Sequence, residues 1–300
     1  MNKLERLADT VKILSVQSWV TFGHVGNAAA LFPLQRLGAE VLALHTVQFS
    51  NHTGYGSWTG QTFTGATVAD LIEGVDARGA LTGLDAVLSG YLGDETIGDA
   101  ILAGVARTRV ASPGALYCCD PVIGDVGRGV FVRPGIPELL AGRAVPAADI
   151  LTPNQFELEH LTGAACHGVV DAVGAATRLR ASMRAGGPRL VLVTSLSAGI
   201  EASEIAMLLV HDGGAVLLRT PRLPVAANGA GDLTAAVMLF HVLREGPGGA
   251  VRALERAASS VWGILRATAE ADDAELRIVA AQDELVRPGR MFRAEPLPVS

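Results

Sequence analysis

The segment Ala227-Asn228-Gly229-Ala230-Gly231-Asp232, followed by LTAAVMLFHVL, carries the strongest structural signal in the sequence. Two glycines in a turn of small residues let the backbone approach a ligand closely. The apolar run after the turn predicts a helix over residues 232–244. Because a helix begins with unpaired N–H groups and a positive dipole end, this turn suits an anion such as a phosphoryl group during transfer.

Asp232 lies in the first turn of this predicted helix, where a carboxylate could accept the proton of a substrate hydroxyl. Phosphoryl transfer needs mainly this kind of positioning and charge stabilisation. Spacing alone leaves a second interpretation open, in which Asp232 only caps the helix and the glycines only form a tight turn. The sequence contains no GxxxxGK[ST] segment, which argues against a P-loop kinase.

Outside this segment, short apolar runs alternate with helical patterns, which predicts βαβ units and a mainly parallel sheet. Strands are predicted at residues 11–16, 40–47, 86–88, 115–119, 150–151 and 190–194, with a hairpin of 206–211 and 215–219 around Asp212-Gly213-Gly214. The other helices are predicted at residues 26–37, 68–78, 95–107, 154–161, 171–183, 250–269 and 273–281. No internal repeat or Pro-, Gly- or Ser-rich linker divides the chain, so we expect one domain over residues 1–300.

The composition is that of a globular protein, with 49% hydrophobic and 18% charged residues. The net charge of −6 argues against nonspecific binding to nucleic acid. The N-terminal residues MNKLERLADTVKIL lack the apolar stretch of a signal peptide, and no window reaches the roughly 18 apolar residues of a membrane helix. Three cysteines, two of them in the apolar run LYCCD, indicate buried reduced thiols. We therefore expect a soluble cytoplasmic protein with no membrane or nucleic-acid partner.

In an open parallel sheet, ligands bind beyond the carboxyl ends of the strands. Five polar, glycine-bearing segments fall at such positions: residues 17–27, 89–94, 120–129, 152–157 and 227–232. The sequence therefore predicts one binding cleft built from these loops.

These segments also carry a family resemblance. Residues 229–232, GAGD, resemble the GxGD signature of ribokinase-like kinases. Segments similar to pyridoxal kinases are Gln17-Ser18, Gly23-His24-Val25-Gly26-Asn27, Thr46-Val47-Gln48-Phe49-Ser50-Asn51-His52-Thr53-Gly54-Tyr55-Gly56, Trp58-Thr59-Gly60, Leu88-Ser89-Gly90-Tyr91-Leu92-Gly93 and Asp120-Pro121-Val122. The resemblance extends from Ile13 to about Pro288. It implies a ribokinase-like three-layer α/β/α domain and the ATP-dependent phosphorylation of pyridoxal at its 5′-hydroxyl, a step of vitamin B6 salvage.

The resemblance also assigns roles around the substrate. Ser18 and Thr53 would hydrogen-bond the pyridoxal ring, with Gly54 beside them and Tyr91 against the ring. Asp232 would be the catalytic base, and the turn of Gly229, Ala230 and Gly231 the anion hole. From the residues alone, the two hydroxyls could equally bond to turn backbone, and Tyr91 could be a packing aromatic.

For the nucleotide, the resemblance places Asp120 near the phosphates and the cation, and Thr152 and Glu157 around an NxxE motif that begins at Asn154. Asp120 and Glu157 would hold Mg²⁺, although a first-turn glutamate could also simply complement the helix dipole. Further nucleotide contacts are expected from Thr194, Thr220, Pro221, Arg222 and Leu223. The family also implies ATP as phosphoryl donor, a monovalent cation, typically K⁺, and a homodimer.

One position departs from the family pattern. Related pyridoxal kinases often carry a lysine where this chain has Thr194, which brings no charge to the phosphates. Thr194 keeps open the interpretation as a noncatalytic vitamin- or nucleotide-binding protein. A second alternative is a kinase for another hydroxymethyl ring compound, such as hydroxymethylpyrimidine, or for a sugar. His24 and His52 have no carboxylate or histidine at ligand spacing, so we expect both to be loop or packing residues.

Overall fold

The computed structural model describes residues 10–225 and 228–298, so Ala227 of the predicted phosphoryl-binding turn lies outside the described residues. The strands are β1 (Lys12–Phe22), β2 (Glu40–Asn51), β3 (Gly60–Thr62), β4 (Ala86–Ser89), β5 (Leu116–Cys119), β6 (Gly124–Asp125), β7 (Gly129–Val130), β8 (Ile150–Leu151), β9 (Leu190–Leu196), β10 (Glu204–His211), β11 (Gly214–Pro221) and β12 (Glu295–Leu297). The α-helices are α1 (Asn27–Arg36), α2 (Gly65–Asp76), α3 (Glu95–Ala111), α4 (Ile136–Leu139), α5 (Val145–Ala147), α6 (Gln155–Thr162), α7 (Val169–Ala181), α8 (Ala230–Glu245), α9 (Ala250–Glu270) and α10 (Asp283–Val286). Short 3₁₀ turns occur at Thr53–Tyr55 and Pro247–Gly249, and a π-helical turn, Leu140–Ala144, joins α4 to α5.

The central sheet has ten strands in the order β12-β11-β10-β9-β8-β5-β4-β1-β2-β3, and β6 and β7 form a separate hairpin. The neighbours from β9 to β2 in this order pair in parallel. Antiparallel pairs extend the sheet at both ends, with β10, β11 and β12 on one side and β3 on the other. The predicted mainly parallel sheet is confirmed.

Two hydrophobic cores lie on opposite faces of this sheet. Leu14 and Val87 pack into one core together with the helices α2, α3, α6 and α7, and the neighbouring residues Ile13 and Leu88 pack into the other with α1, α8 and α9. Adjacent strand residues enter different cores because side chains alternate across a strand. The result is the expected three-layer α/β/α architecture.

Helix α8 is buried along most of its length, from Leu233 to Val242. A helix that is apolar on nearly all sides must lie inside the protein rather than on its surface. The burial of α8 therefore fixes the position of its first turn, which holds Asp232, relative to the sheet. None of the described helices is long and apolar enough to cross a membrane.

The predicted helix over residues 273–281 is wrong, because this segment forms turns. Asp273 accepts a hydrogen bond from the backbone N–H of Glu275 at 3.1 Å, and the Arg277 N–H donates to the Thr268 hydroxyl at 3.0 Å. Side chains that bond to nearby backbone in this way compete with helix formation. Asp272 also adopts a left-handed backbone conformation with φ of 50°. The apolar spacing of Leu276 and Ile278 reflects two separately buried side chains, not a helix face.

Asp149, immediately before β8, connects the sheet to the helical layer. Its side chain is fully buried and accepts hydrogen bonds from the Tyr117 N–H at 2.8 Å, from Arg109 at 2.8 Å and from Arg184 at 2.7 Å. Two guanidinium groups and one strand amide thus depend on a single carboxylate.

Replacing Asp149 with asparagine should lower the free energy of unfolding by about 3–5 kcal/mol, because two partly buried guanidinium groups lose their anionic partner. Urea denaturation followed by circular dichroism measures this loss. Asp283→Asn is the control, since the Asp283 side chain is 91% exposed in its ion pair with Arg36. Exposed ion pairs contribute little. If both variants unfold at the same urea concentration, Asp149 does not have this structural role.

Candidate active site

The loops at the carboxyl ends of the parallel strands enclose one cleft of ≈ 730 Å³. Every site residue predicted from the sequence lines this cleft: Ser18, Thr53, Gly54, Tyr91, Asp120, Thr152, Glu157, Thr194, Thr220, Pro221, Arg222, Leu223, Gly229, Ala230, Gly231 and Asp232. The fold therefore brings together residues that are far apart in the sequence. The role of each residue stays a prediction.

The turn before α8 forms one wall of the cleft. Gly229 has a left-handed backbone with φ of 89° and is the N-cap of the helix. A Cβ at this position would overlap the carbonyl oxygen of His24, so only glycine fits. Gly231 has open space around its Cα. The N–H groups at the start of a 16-residue helix thus border the cleft, as an anion site requires.

Asp232 is not the N-cap residue of α8, which is Gly229, although its carboxylate accepts a hydrogen bond from its own backbone N–H in the first turn. Its carboxylate accepts a hydrogen bond from the backbone of Gly26, while burial raises its pKa to about 6. Gly26 has φ of 55°, and a Cβ there would overlap the backbone oxygen of Ser18. The two backbones meet closely, which places Asp232 beside the strand that carries Ser18. A carboxylate with a pKa near neutrality can take up and release a proton at physiological pH.

Asp120 and Glu157 form a second acidic group in the cleft. Asp120 follows β5, and its Oδ1 accepts a hydrogen bond from the Thr152 hydroxyl at 2.9 Å. Burial, followed by the nearby charges of Glu157 and Asp232, raises the pKa of Asp120 well above its usual value. Burial also raises the pKa of Glu157 to about 8. An added cation would therefore be favoured between these groups.

Glu157 has a structural role as well as a position in the cleft. Its Oε2 accepts from the Asn154 N–H at 2.9 Å, and Asn154 Oδ1 accepts from the Glu157 N–H at 2.8 Å, which together form a capping box at the start of α6. Its Oε1 accepts from the Ile123 N–H at 3.0 Å. Both oxygens thus already have one backbone partner.

The residues fit a hydrated Mg²⁺ that arrives with phosphates. In the described chain, no group of three or more His, Cys, Asp or Glu side chains could hold a metal ion by itself. Mg²⁺ usually keeps several waters and binds through one or two carboxylates plus substrate phosphates. Asp120 and Glu157, with their raised pKa values and remaining lone pairs, suit this mode of binding.

The opposite part of the cleft, which Ser18, Thr53 and Tyr91 line, is the predicted slot for a flat ring. Ser18 lies where the pairing of β1 with β2 shifts register between Gln17 and Trp19, an irregularity that redirects side chains. Neither the Ser18 nor the Thr53 hydroxyl hydrogen-bonds to another described residue, so both are available to a ligand. The apolar side chains that line the cleft with Tyr91 include Val20, Val25, Val47 and Phe49.

The predicted nucleotide part of the cleft lies beside β9, β11 and α9. Trp262 of α9 lines it and donates its indole N–H to the carbonyl of Pro221 at 3.1 Å. Thr194 is in β9, and its N–H donates to the carbonyl of Pro153 at 3.0 Å. Apolar contacts from Met207, Ala258, Val261 and Leu265 complete a surface that suits a nucleobase.

The lining side chains that sequence reasoning missed include His52, Arg128 and Trp262. The sequence predicts His52 only as a loop or packing residue, but its Nε2 lies 3.0 Å from Glu275 Oε1, 223 positions away. No local spacing could have indicated this pair. Arg128 did have a signal, since it stands between two glycines in the segment 120–129 that was expected to bind a ligand.

Comparison with known proteins identifies the family of this chain. A family model described as phosphomethylpyrimidine kinase matches residues 76–273. The pyridoxal kinase PdxY of Granulibacter bethesdensis is 58% identical over 286 residues, which cover 95% of this chain and 99% of that protein. The chain belongs to the pyridoxal kinase family. The pyridoxal kinase PdxY of Deinococcus radiodurans is 53% identical over 94% of this chain and 95% of its own.

A solved structure of the pyridoxal kinase from Leishmania donovani, in complex with ADP and pyridoxamine, superimposes with a TM-score of 0.87. It is 30% identical to this chain and covers 96% of this chain and 99% of its own. The predicted family and the ribokinase-like fold are both confirmed.

The raised pKa of Asp232 predicts the acidic limb of the pH profile of this pyridoxal kinase family member. Below about pH 6, Asp232 is protonated and cannot accept a proton, so kcat/KM for pyridoxal should fall roughly tenfold per pH unit. Above that value the limb should level off. Initial rates between pH 5 and 8, with circular dichroism at each pH to exclude unfolding, measure the limb. A flat profile through pH 6 would mean that the proton goes elsewhere.

Proposed function

We propose that the chain, as one kinase domain over residues 1–300, transfers the γ-phosphoryl group of ATP to the 5′-hydroxyl of pyridoxal. The products are pyridoxal 5′-phosphate and ADP. The observation that carries this proposal is the position of Asp232: a half-buried carboxylate whose pKa is raised to about 6, in the first turn of α8 and in one cleft with the ring slot and the nucleotide surface. The Leishmania donovani relative, which binds ADP and pyridoxamine together, supports it.

The pyridoxal ring is held in the slot by few groups. The hydroxyls of Ser18 and Thr53 hydrogen-bond its polar substituents, Gly54 leaves room for the ring, and Tyr91 packs against it. Tyr91 is held in place because its carbonyl accepts a hydrogen bond from the Thr46 hydroxyl at 2.7 Å. A ring fixed in this way holds its 5′-hydroxymethyl group close to Asp232, in an orientation from which the transfer can begin.

The transfer itself moves one proton and one phosphoryl group. Asp232 accepts the proton of the 5′-hydroxyl while the oxygen forms a bond to the γ-phosphorus. The bond from the γ-phosphorus to the bridging oxygen breaks, and ADP leaves with the electron pair. The backbone N–H groups of Gly229, Ala230 and Gly231 stabilise the charge on the transferring group.

The nucleotide lies across β9, β11 and α9, with contacts from Thr152, Thr194, Thr220, Pro221, Arg222 and Leu223. Mg²⁺, when bound, would neutralise phosphate charge. Asp120 and Glu157 would hold it through its waters. A requirement for K⁺ rests on the family alone.

Two arginines compensate for the missing lysine at Thr194. Arg128 and Arg222 are the cationic side chains among the described residues that line the cleft. Arg128 donates to Asn228 Oδ1 at 3.2 Å, directly before the Gly229 turn, and lies 5.0 Å from the centre of the Phe131 ring. Its guanidinium is thus held near the position where phosphate charge is expected.

A pyrimidine kinase is the second candidate, because the matching family model is described as phosphomethylpyrimidine kinase. That match begins at residue 76 and so excludes Ser18 and Thr53, which belong to the ring slot. Relatives that match over nearly the full length are pyridoxal kinases. These observations favour pyridoxal over hydroxymethylpyrimidine, and the apolar slot disfavours a sugar. The geometry of Asp232 argues against a noncatalytic binding protein.

We also propose a cytoplasmic homodimer, as the family resemblance implies. The aromatic side chains of Phe22, Tyr55 and Trp58 are 60%, 44% and 46% exposed. Phe22 is the last residue of β1, Tyr55 lies just after β2, and Trp58 lies just before the edge strand β3. Neighbouring exposed aromatic groups are typical of a surface that a second subunit covers.

Asp232→Asn tests the catalytic proposal. The asparagine keeps the shape of the side chain but cannot take the proton, so kcat should fall ~10²-fold or more with little change in KM for ATP or pyridoxal. Pyridoxal 5′-phosphate formation is followed by absorbance. Asp283→Asn on the exposed helix α10 is the control and should retain full activity. Normal turnover by Asp232→Asn would exclude Asp232 as the base.

A further inference from the structure

Glu275 lies in the C-terminal turn segment and is the centre of a buried hydrogen-bond network. Glu275 is only 8% exposed to solvent. Oε1 accepts from His52 Nε2 at 3.0 Å and from the Tyr55 hydroxyl at 2.7 Å, and Oε2 accepts from the backbone N–H of His24 at 3.0 Å. An ionised carboxylate only accepts hydrogen bonds, so all three partners are donors.

Two of these donors bracket the ring-binding residues. His52 immediately precedes Thr53 and Gly54, and Tyr55 immediately follows them. The His52 and Tyr55 rings also stack, with centroids 4.5 Å apart. Both ends of the dipeptide Thr53-Gly54 are therefore tied to the same carboxylate. His52 Nδ1, which has no partner among the described residues, faces Gly54, where a Cβ would come within 2.9 Å of it.

The third donor connects Glu275 to the anion-binding turn. The His24 N–H bonds to the carboxylate, and the His24 carbonyl oxygen lies so close to Gly229 that no Cβ fits there. Gly23 is constrained in the same way, since its Cβ would lie 2.5 Å from Glu275 Oε2. The Glu275 carboxylate thus contacts two segments. One is the ring-slot loop, residues 52–55, and the other is the turn of Gly23 and His24, which packs against Gly229.

We propose that Glu275 is a positioning residue for pyridoxal, which holds Thr53 and Gly54 in register with the Gly229 turn before the substrate arrives. The proposal rests on the proposed function, because it takes Thr53 and Gly54 to contact the ring. Holding a loop in its bound conformation raises affinity by removing the ordering cost from binding. Glu275 itself does not line the cleft.

Glutamine keeps the shape of this side chain but weakens its hydrogen bonds. If the amide oxygen of Glu275→Gln faces His52 and Tyr55, its NH₂ group faces the His24 N–H. If the side chain flips, NH₂ bonds only to the other tautomer of His52 and to a rotated Tyr55 hydroxyl. Either orientation replaces charge-assisted hydrogen bonds by weaker neutral ones, so the loop is held less firmly.

Glu275→Gln should therefore weaken pyridoxal binding roughly tenfold, which corresponds to about 1.4 kcal/mol. The dissociation constants for pyridoxal and, separately, for ADP with Mg²⁺ are measured by isothermal titration calorimetry. We expect the ADP value to stay within about twofold, because the nucleotide surface is formed by β9, β11 and α9. Equal weakening of both ligands, or no change in either, would contradict a role specific to the ring loop.

Glu255→Gln is the matched control. Glu255 is also 8% exposed, and its carboxylate also accepts from a backbone N–H, that of Ala294, and from a side chain, that of Arg293. It should leave the pyridoxal affinity unchanged. If Glu275→Gln does not fold, Tyr55→Phe removes a single donor from the half-exposed Tyr55 and should weaken pyridoxal binding by roughly threefold. Unchanged pyridoxal affinity in Tyr55→Phe would then contradict the proposal.

Thr53→Val separates this inference from the proposed function. If Thr53→Val weakens pyridoxal binding and Glu275→Gln does not, only the positioning role is wrong. If Thr53→Val has no effect, the assignment of the ring slot itself is wrong.

Discussion

Burial of the carboxyl groups of Asp120, Glu157 and Asp232 in one cleft costs free energy, because each is withdrawn from water and two of them raise the pKa of the third. The surrounding structure offsets this cost in part. The Thr152 hydroxyl bonds to Asp120, backbone N–H groups bond to Glu157, and the Gly26 backbone bonds to Asp232. The remaining negative charge favours a cation, such as the Mg²⁺ that accompanies a nucleotide.

The need to offset the cost of burying these carboxyl groups explains why backbone N–H groups form so much of the site. The amides near the three acids come from strand ends and helix starts, where N–H groups have no partner within the element. Gly26 and Gly229 allow two such chain segments to meet without a Cβ between them. The parallel sheet supplies these segments, because its strands all end at the same edge.

Local patterns in the sequence predicted much of this arrangement. Strand ends, glycine turns and the GAGD segment are encoded by neighbouring residues, so the cleft could be inferred from the loops that follow the strands. The pairing of His52 with Glu275 could not, because 223 positions separate the two residues and neither has a local motif. The helix expected at residues 273–281 failed for a related reason. Its apolar spacing resembles a helix face, while its polar groups bond to other parts of the fold, namely the Thr268 hydroxyl of α9 and the loop of the ring slot.

The C-terminal turn segment thus belongs to the site although it supplies no lining residue in the cleft. Leu276 packs beside Gly229, and Glu275 bonds to the backbone of His24 and to the side chains that flank Thr53. Ring slot and anion turn are held in one arrangement by residues from both ends of the chain. Phosphoryl transfer depends on such fixed geometry more than on reactive side chains.

The most direct measurement is product formation from ATP and Mg²⁺ with pyridoxal, hydroxymethylpyrimidine or ribose in parallel reactions. We expect turnover with pyridoxal and no comparable turnover with the other two compounds. Turnover with hydroxymethylpyrimidine or ribose instead of pyridoxal would contradict the ring-slot assignment. Binding of pyridoxal without any turnover would contradict the catalytic role of Asp232 and indicate a noncatalytic relative.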